Sequence, residues 1–167
     1  MAIKSNLNSE DIGRELQAQA EALFNKILNS FIRAGLKFIT AAREQAQDHS
    51  LGTYLDDTTN LRNSIQFLVF YNGKEVHASD SEFTNQNRGI VKDFVNAQGF
   101  QIFLIAGMNY ASWVESKGYN VISFQADQCM VDLTLYLEDL EQIEKGSAAG
   151  LEESFIPGDL PENFVVK

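Results

Sequence analysis

Cysteine is nearly missing from this sequence: Cys129 stands alone among 167 residues. No intrachain disulfide can form, and a thiolate zinc site would have too few ligands. Met130 and Val131 beside it mark an inert helix thiol rather than a nucleophile. Histidine is almost as scarce, and His49 and His77 make no HxxxH or HxH pair. Apolar runs never approach the roughly 18 residues that span a bilayer. The segment MAIKSNLNSEDIG lacks the apolar centre of a secretory signal. The chain is therefore expected to be made and to fold in the cytoplasm, with no membrane contact. Basic residues are in the minority, 13 Lys and Arg against 23 Asp and Glu, for a net charge of -10. Among them Arg33, Lys37 and Arg43 lie along one helix and the rest are scattered. Tight binding to nucleic acid or to an anionic membrane is disfavoured.

Catalytic signatures are missing as well. There is no GxSxG elbow, no GxxxxGK(S/T) and no GxGxxG after a strand. Asp56 and Asp57, with Asp80 and Glu82 further on, are the only acids that suggest a metal-dependent nuclease. A two-metal site needs carboxylates converging on a rigid frame, and these sit in polar loops that favour plain solvation. The acidic run at 138–144 reads as the wet face of a helix. No catalytic residue, cofactor or metal ligand is expected.

What the sequence does hold is grease: 44% hydrophobic residues, including 12 Phe, enough for a one-domain core. Leu16, Ala20, Leu23, Phe24, Ile27, Leu28, Phe31 and Ile32 recur at spacings of three and four, predicting a helix over 9–47. Asn8 or Ser9 would cap it, Glu10 and Asp11 suit its positive end, and Gly35 would bend it. A loop follows, then a strand over 65–71, the hairpin signal Asn72-Gly73 and a return strand over 74–78. A helix over 88–97 would turn Ile90, Val91, Phe94 and Val95 inward and close at Gly99. Next come a strand over 100–106, a short helix over 109–116 and a strand over 119–124. The last helix is expected over 125–144, with Met130, Leu133, Leu137 and Leu140 on one face.

The expected class is α+β: long N-terminal and C-terminal helices on a small antiparallel sheet with a hairpin. Residues 1–145 would form the domain and 146–167 an extended arm, docked through Phe155, Ile156, Phe164 and Val165. The strands FLVFY and IFLIA are apolar on both faces. Either the chain's own helices or a neighbouring subunit must cover the second face.

Two segments have an unusual texture. In Thr58-Thr59-Asn60-Leu61-Arg62-Asn63-Ser64-Ile65 a Thr would cap a helical turn and Leu61 would plug inward. In the second, running from Gly107 to Tyr119, a strand stops at Gly107 and Gly118 permits the next turn. Tyr110, Ala111, Trp113, Val114 and Glu115 fall between, and Tyr110, Trp113 and Val114 would be buried.

The ordered pair, T-x-N-L-R-x-S-I and then G-x-x-Y-A-x-x-V-E-x-K-G-Y, resembles the minor tail or tail-completion (head–tail joining, neck) proteins of long-tailed bacteriophages and prophages. Lys117 before Gly118 is similar to a variant in phages of Bacteroidota. The family pattern reads approximately T-G-x-L-R-x-S-I; Asn60, following a Thr where many members have Gly, departs from it in a way an αL-tolerant Asn absorbs. The resemblance extends over 9–144 in element order but only over the two segments in residue detail. It implies a non-enzymatic virion protein assembled in the host cytoplasm and forming a homo-oligomeric ring, a hexamer, through which double-stranded DNA passes. Portal or adaptor proteins and tail-tube or tail-terminator proteins would be its partners. Tail terminator or another minor tail protein is the nearest alternative; a metal-dependent nuclease or a soluble phage-encoded binding module is the alternative of another class. Acidity would let DNA slide past a lumen, and it equally serves solubility.

Overall fold

The computed structural model describes residues 9–45 and 59–153. The expected helix is α1, Ser9–Gln45. A single helical turn α2, Asn60–Ser64, leads into β1, Ile65–Tyr71, and the Asn72-Gly73 turn returns the chain as β2, Lys74–Ala78. Asn72 and Gly73 both take positive φ, 49° and 78°, as a hairpin turn of this kind requires. Helix α3, Thr84–Val91, ends in a 3-10 turn, Lys92–Phe94, before β3, Phe100–Ala106. Helices α4, Ala111–Ser116, and α5, Ser123–Glu153, complete the order. The sheet is antiparallel with order β2-β1-β3. This is an α+β fold.

Alternation along β1 separates two cores. Ile65, Phe67 and Val69 meet Phe31, Ala34, Phe38, Ile39 and Ala42 of α1 and Cys129 and Leu133 of α5. Leu68 and Phe70, pointing the other way, meet Val91 of α3 and Phe103 and Ile105 of β3. The second face of β1 is thus roofed by the chain's own α3. A neighbouring subunit is not what buries it. Arg88 of α3 anchors that roof to the hairpin, its Nε and Nη2 donating to the Glu75 carboxylate at 2.8 and 2.5 Å.

Helices α1 and α5 run antiparallel, as three pairings show. Gln125 of α5 donates to Gln45, Lys37 reaches Asp132 at 2.7 Å, and the Arg33 guanidinium lies 4.3 Å from the Tyr136 ring centroid. Phe24 is the first α1 residue to reach the sheet, packing its ring on Tyr71 and Phe100. Residues 10–23 are all exposed, so about 20 Å of helix overhangs the domain. Gly35 serves close approach: a Cβ there would stand 2.5 Å from the Phe67 ring.

Several boundaries differ from expectation, each for a local reason. No strand forms over 119–124, because the N–H groups of 121–124 are taken by side chains that start α5. Helix α3 begins four residues earlier than 88 and buries Asn87 and Val91, which turns Ile90 and Phe94 outward, the latter 68% exposed. On α5 Leu133 is buried and Met130 is exposed. The same helix continues to Glu153, so 146–153 is helical and not extended arm. Phe155, Ile156, Phe164 and Val165 lie outside the described residues, as do Asn8, His49, Asp56, Asp57 and Thr58. Cys129 is buried, and that burial pushes its thiol up to about 11, with Asp132 adding to the effect.

Candidate functional site

The two motif segments, more than forty residues apart in sequence, meet in space. Leu61, fully buried, packs with Ala111, Val114 and Val121, and Ala106, Met108 and Ile122 border the cluster. Ser64 Oγ donates to Leu61 O at 2.7 Å, closing the turn. The turn starts at Thr59, which takes φ 58° and makes no side-chain cap. The left-handed residue is therefore Thr59 and not Asn60. Counting back from Leu61, the glycine of the T-G-x-L-R pattern falls on this same position. A β-branched residue is strained there, so Thr59→Gly should raise stability by about 0.5 kcal/mol, after the flexibility of the unfolded glycine is subtracted. A urea titration reads the sign; a loss of stability would mean that position 59 is not left-handed.

Glu115 explains the acid of the second segment. A single oxygen, Oε1, accepts from the N–H groups of Val121 at 3.2 Å, Ile122 at 3.0 Å and Ser123 at 3.0 Å, and from Ser123 Oγ at 2.8 Å. Asn120 Oδ1 accepts from Phe124 N at 3.0 Å. Together they satisfy the N–H groups of residues 121–124 at the start of α5, where negative charge suits the helix dipole. Burial pushes the Glu115 pKa up, but the hydrogen bonds from Ile122, Ser123 and Val121 outweigh it and hold the carboxyl below its ordinary value. The folded state therefore gains stability above the unfolded carboxylate range near about pH 4.3, and loses it as pH falls through the lower folded value. Glu115→Gln should cost about 1 kcal/mol at neutral pH and flatten that acid limb of the stability–pH curve. An unchanged curve would remove the capping role.

Behind the junction lies a polar network that sequence reasoning missed. Asn87 Nδ2 donates to Gln66 Oε1 at 2.8 Å and to Ser64 O at 3.2 Å. Gln66 Nε2 donates to Ser79 O and, at 2.9 Å, to Thr84 Oγ1. Gln86 Nε2 donates to Gly107 O. Asn87 Oδ1 is buried with no partner among the described residues. It lies against Gly107, where an added Cβ would overlap it. Gly107 is glycine for want of space. The available signal was Gln66, one polar residue inside the apolar strand IQFLVFY.

The remaining motif residues point outward. Trp113 is 63% exposed, and Tyr110 and Tyr119 are exposed too, against the expectation that Tyr110 and Trp113 would be buried. A two-turn helix has one narrow buried stripe, and Ala111 and Val114 occupy it. Lys117 Nζ sits 5.4 Å from the Trp113 ring centroid. Phe124 on the first turn of α5 is 60% exposed, and Gly118 takes φ 86° in the turn between. The motif pair thus buries Leu61, Ser64, Gly107, Ala111 and Val114, satisfies Glu115, and displays aromatic rings.

Among the described residues no group of three or more His, Cys, Asp or Glu side chains is placed to hold a metal ion. Asp80 and Glu82 line an open concavity of about 460 Å³ with Arg43, Asn63 and Ser81. Arg43 there donates to Ile65 O at 2.9 Å and to Asp80 O at 3.4 Å, so it braces backbone. Burial, with the charge of Arg62 second, lowers its pKa. No helix among the described residues is long and apolar enough to cross a membrane. Neither a family model, nor a curated protein, nor a solved structure matches the chain.

Proposed function

We propose that this chain is a structural, non-enzymatic subunit of a long-tailed phage virion that closes into a homo-oligomeric ring, a hexamer, at the head–tail junction. One observation carries the reading: two separate apolar surfaces face solvent at opposite ends of α1. Trp113, Tyr110, Tyr119 and Phe124 gather at the α4–α5 corner, beside the Gln45 end of α1. Ile12 and Leu16, the latter 61% exposed, lie on its overhang. The two are separated by ~40 Å of helix. A ring needs two different patches per subunit, each complementary to the other on a neighbour, and these exposed apolar side chains supply two surfaces suited to such contacts. Left-handed backbone at the glycine position of the T-G-x-L-R pattern adds support for the family resemblance. The portal or adaptor above and the tail tube or terminator below would take the two rims, and DNA would pass through.

Mass measurement by light scattering, with negative-stain microscopy, on the chain alone and with co-expressed portal, adaptor and tail-tube proteins tests the reading. Expected is a ring, alone or on a partner. Trp113→Glu and Leu16→Glu should each abolish it while leaving the melting transition in place, because both side chains are already in water. A monomer under every condition, or ring formation untouched by both substitutions, would overturn the assignment of these surfaces.

A further inference from the structure

The two edges of the sheet are built differently. On β2 the register with β1 shifts at Val76, between the pairs Val69–His77 and Phe70–Glu75, and the strand carries Lys74 and Glu75, the latter paired with Arg88 of α3. Bulges and charges of this kind block edge pairing. Strand β3, FQIFLIA, is seven residues long, carries no charge and keeps an unbroken register with β1. Its hydrogen-bonding parity follows from the ends of the ladder. Asn72 N donates to Gly99 O at 3.0 Å and Gly107 N donates to Ser64 O at 3.3 Å. Alternation in an antiparallel pair then assigns Gln101, Phe103 and Ile105 to β1. The N–H and C=O groups of Phe100, Ile102, Leu104 and Ala106 face away from β1, and none of them is hydrogen-bonded to any described residue. An apolar edge with four outward-facing positions is an acceptor for an added strand.

The chain itself holds a candidate donor. Fourteen residues, SFIPGDLPENFVVK, follow Glu153. Pro157 and Pro161 lack the donors a strand needs, so pairing begins after Pro161, where Asn163-Phe164-Val165-Val166 is uncharged and rich in strand-forming residues. Reach selects whose edge it meets. Tyr136 and Leu137 are the last α5 residues packed on the sheet core, and Glu153 stands ~24 Å further along the helix. A fully extended spacer over 154–161 covers ~26 Å, all of which would be spent doubling back to its own sheet.

We propose that β3 accepts residues 162–167 of a neighbouring copy as a fourth strand. The inference rests on the ring reading and names one of its contacts: acceptor and donor are different surfaces, as a closing ring demands.

Two chains are mixed, one with Phe103→Cys or Gln101→Cys and the other with Phe164→Cys or Val165→Cys. Positions 101 and 103 do not hydrogen-bond to the added strand, so they give the shorter Cβ separations that a disulfide needs. Native Cys129, buried with its thiol near 11, stays out of the exchange. Mild oxidation should link the mixture into a covalent heterodimer that neither chain gives alone. Leu104→Pro removes an outward N–H without touching the β1 ladder but also trims a side chain packed on the core; Leu104→Ala, which trims it and keeps the N–H, is the control, and only the proline should abolish the link. Homodimers of the Phe103→Cys chain would show β3 pairing with β3 instead, and a double-cysteine chain closing only within itself would show docking on its own edge. Either overturns the proposal, as does a ring that persists unchanged, and unlinked, after deletion of 161–167; in that last case the ring reading survives alone. A chain monomeric in every mixture sinks both.

Discussion

Leu61→Ala is expected to lower the unfolding free energy by about 3 kcal/mol, within the range for removing a buried leucine. The side chain is fully buried in a cluster with residues from β3, α4 and the segment just before α5. It is therefore the plug that holds the two motif segments together, and truncation opens a cavity at their junction. For a domain whose total stability is of order 5–15 kcal/mol, that is a large share. Val114 lines the same cluster, so Leu61→Ala and Val114→Ala should combine to less than their sum, because the second truncation enlarges a cavity already present. Trp113→Ala, one residue away on α4, should barely move the urea midpoint, because its ring is already in solvent. The contrast separates the structural half of the motif from the displayed half. A Leu61→Ala loss below about 1 kcal/mol would show that the junction collapses without it, and that the motif pair is not a packing unit.

Much of this architecture could be read from spacing alone. The apolar positions of α1 and the Asn-Gly turn announced themselves, since each follows from a backbone period or a turn geometry. Where reading failed, polar residues were performing structural tasks that periodicity does not encode. Tyr119 to Phe124 has the alternation of a strand, yet the Glu115 carboxylate and the Asn120 amide capture the N–H groups that a sheet would have used. Of Ile90, Val91, Phe94 and Val95, all expected inward, Val91 is buried while Ile90 and Phe94 are exposed. The buried face of α3 is set by Asn87, drawn inward by Gln66 and Ser64, and the apolar pair rotates into solvent. The candidate site was half legible. Leu61 was expected inward and lies inward, whereas Trp113 and Tyr110 were expected inward and are displayed, because the buried stripe of so short a helix is filled by Ala111 and Val114. Whether α3 or a neighbour covered the second sheet face could not be decided from β1 alone, because a strand buried on both sides looks the same in either case.

Gly35→Ala should destabilise the protein by about 2 kcal/mol, although within an isolated helix the same change favours folding by about 1 kcal/mol. The sign is decided by where α1 touches the sheet. A Cβ at position 35 would fall 2.5 to 2.7 Å from three atoms of the Phe67 ring, far inside van der Waals contact. Phe67 is itself fully buried in the centre of β1, between α1 on its own face and the strands on either side. It has no open space to retreat into, so α1 must lift and take Ala34, Phe38 and Ala42 with it. Trimming the ring instead should relieve the overlap: Phe67→Leu alone loses packing, but in the Gly35→Ala background it should cost less than in the wild type. That negative coupling, read from four urea titrations in a double-mutant cycle, is specific to direct contact. A stabilised Gly35→Ala would place α1 further from the sheet than described. The overhang of residues 10–23 depends on the same contact, since the helix can project rigidly only while its second half is clamped. If the chain forms the proposed ring, loosening the clamp should therefore weaken assembly as well as the fold, whereas Leu16→Glu should weaken assembly only.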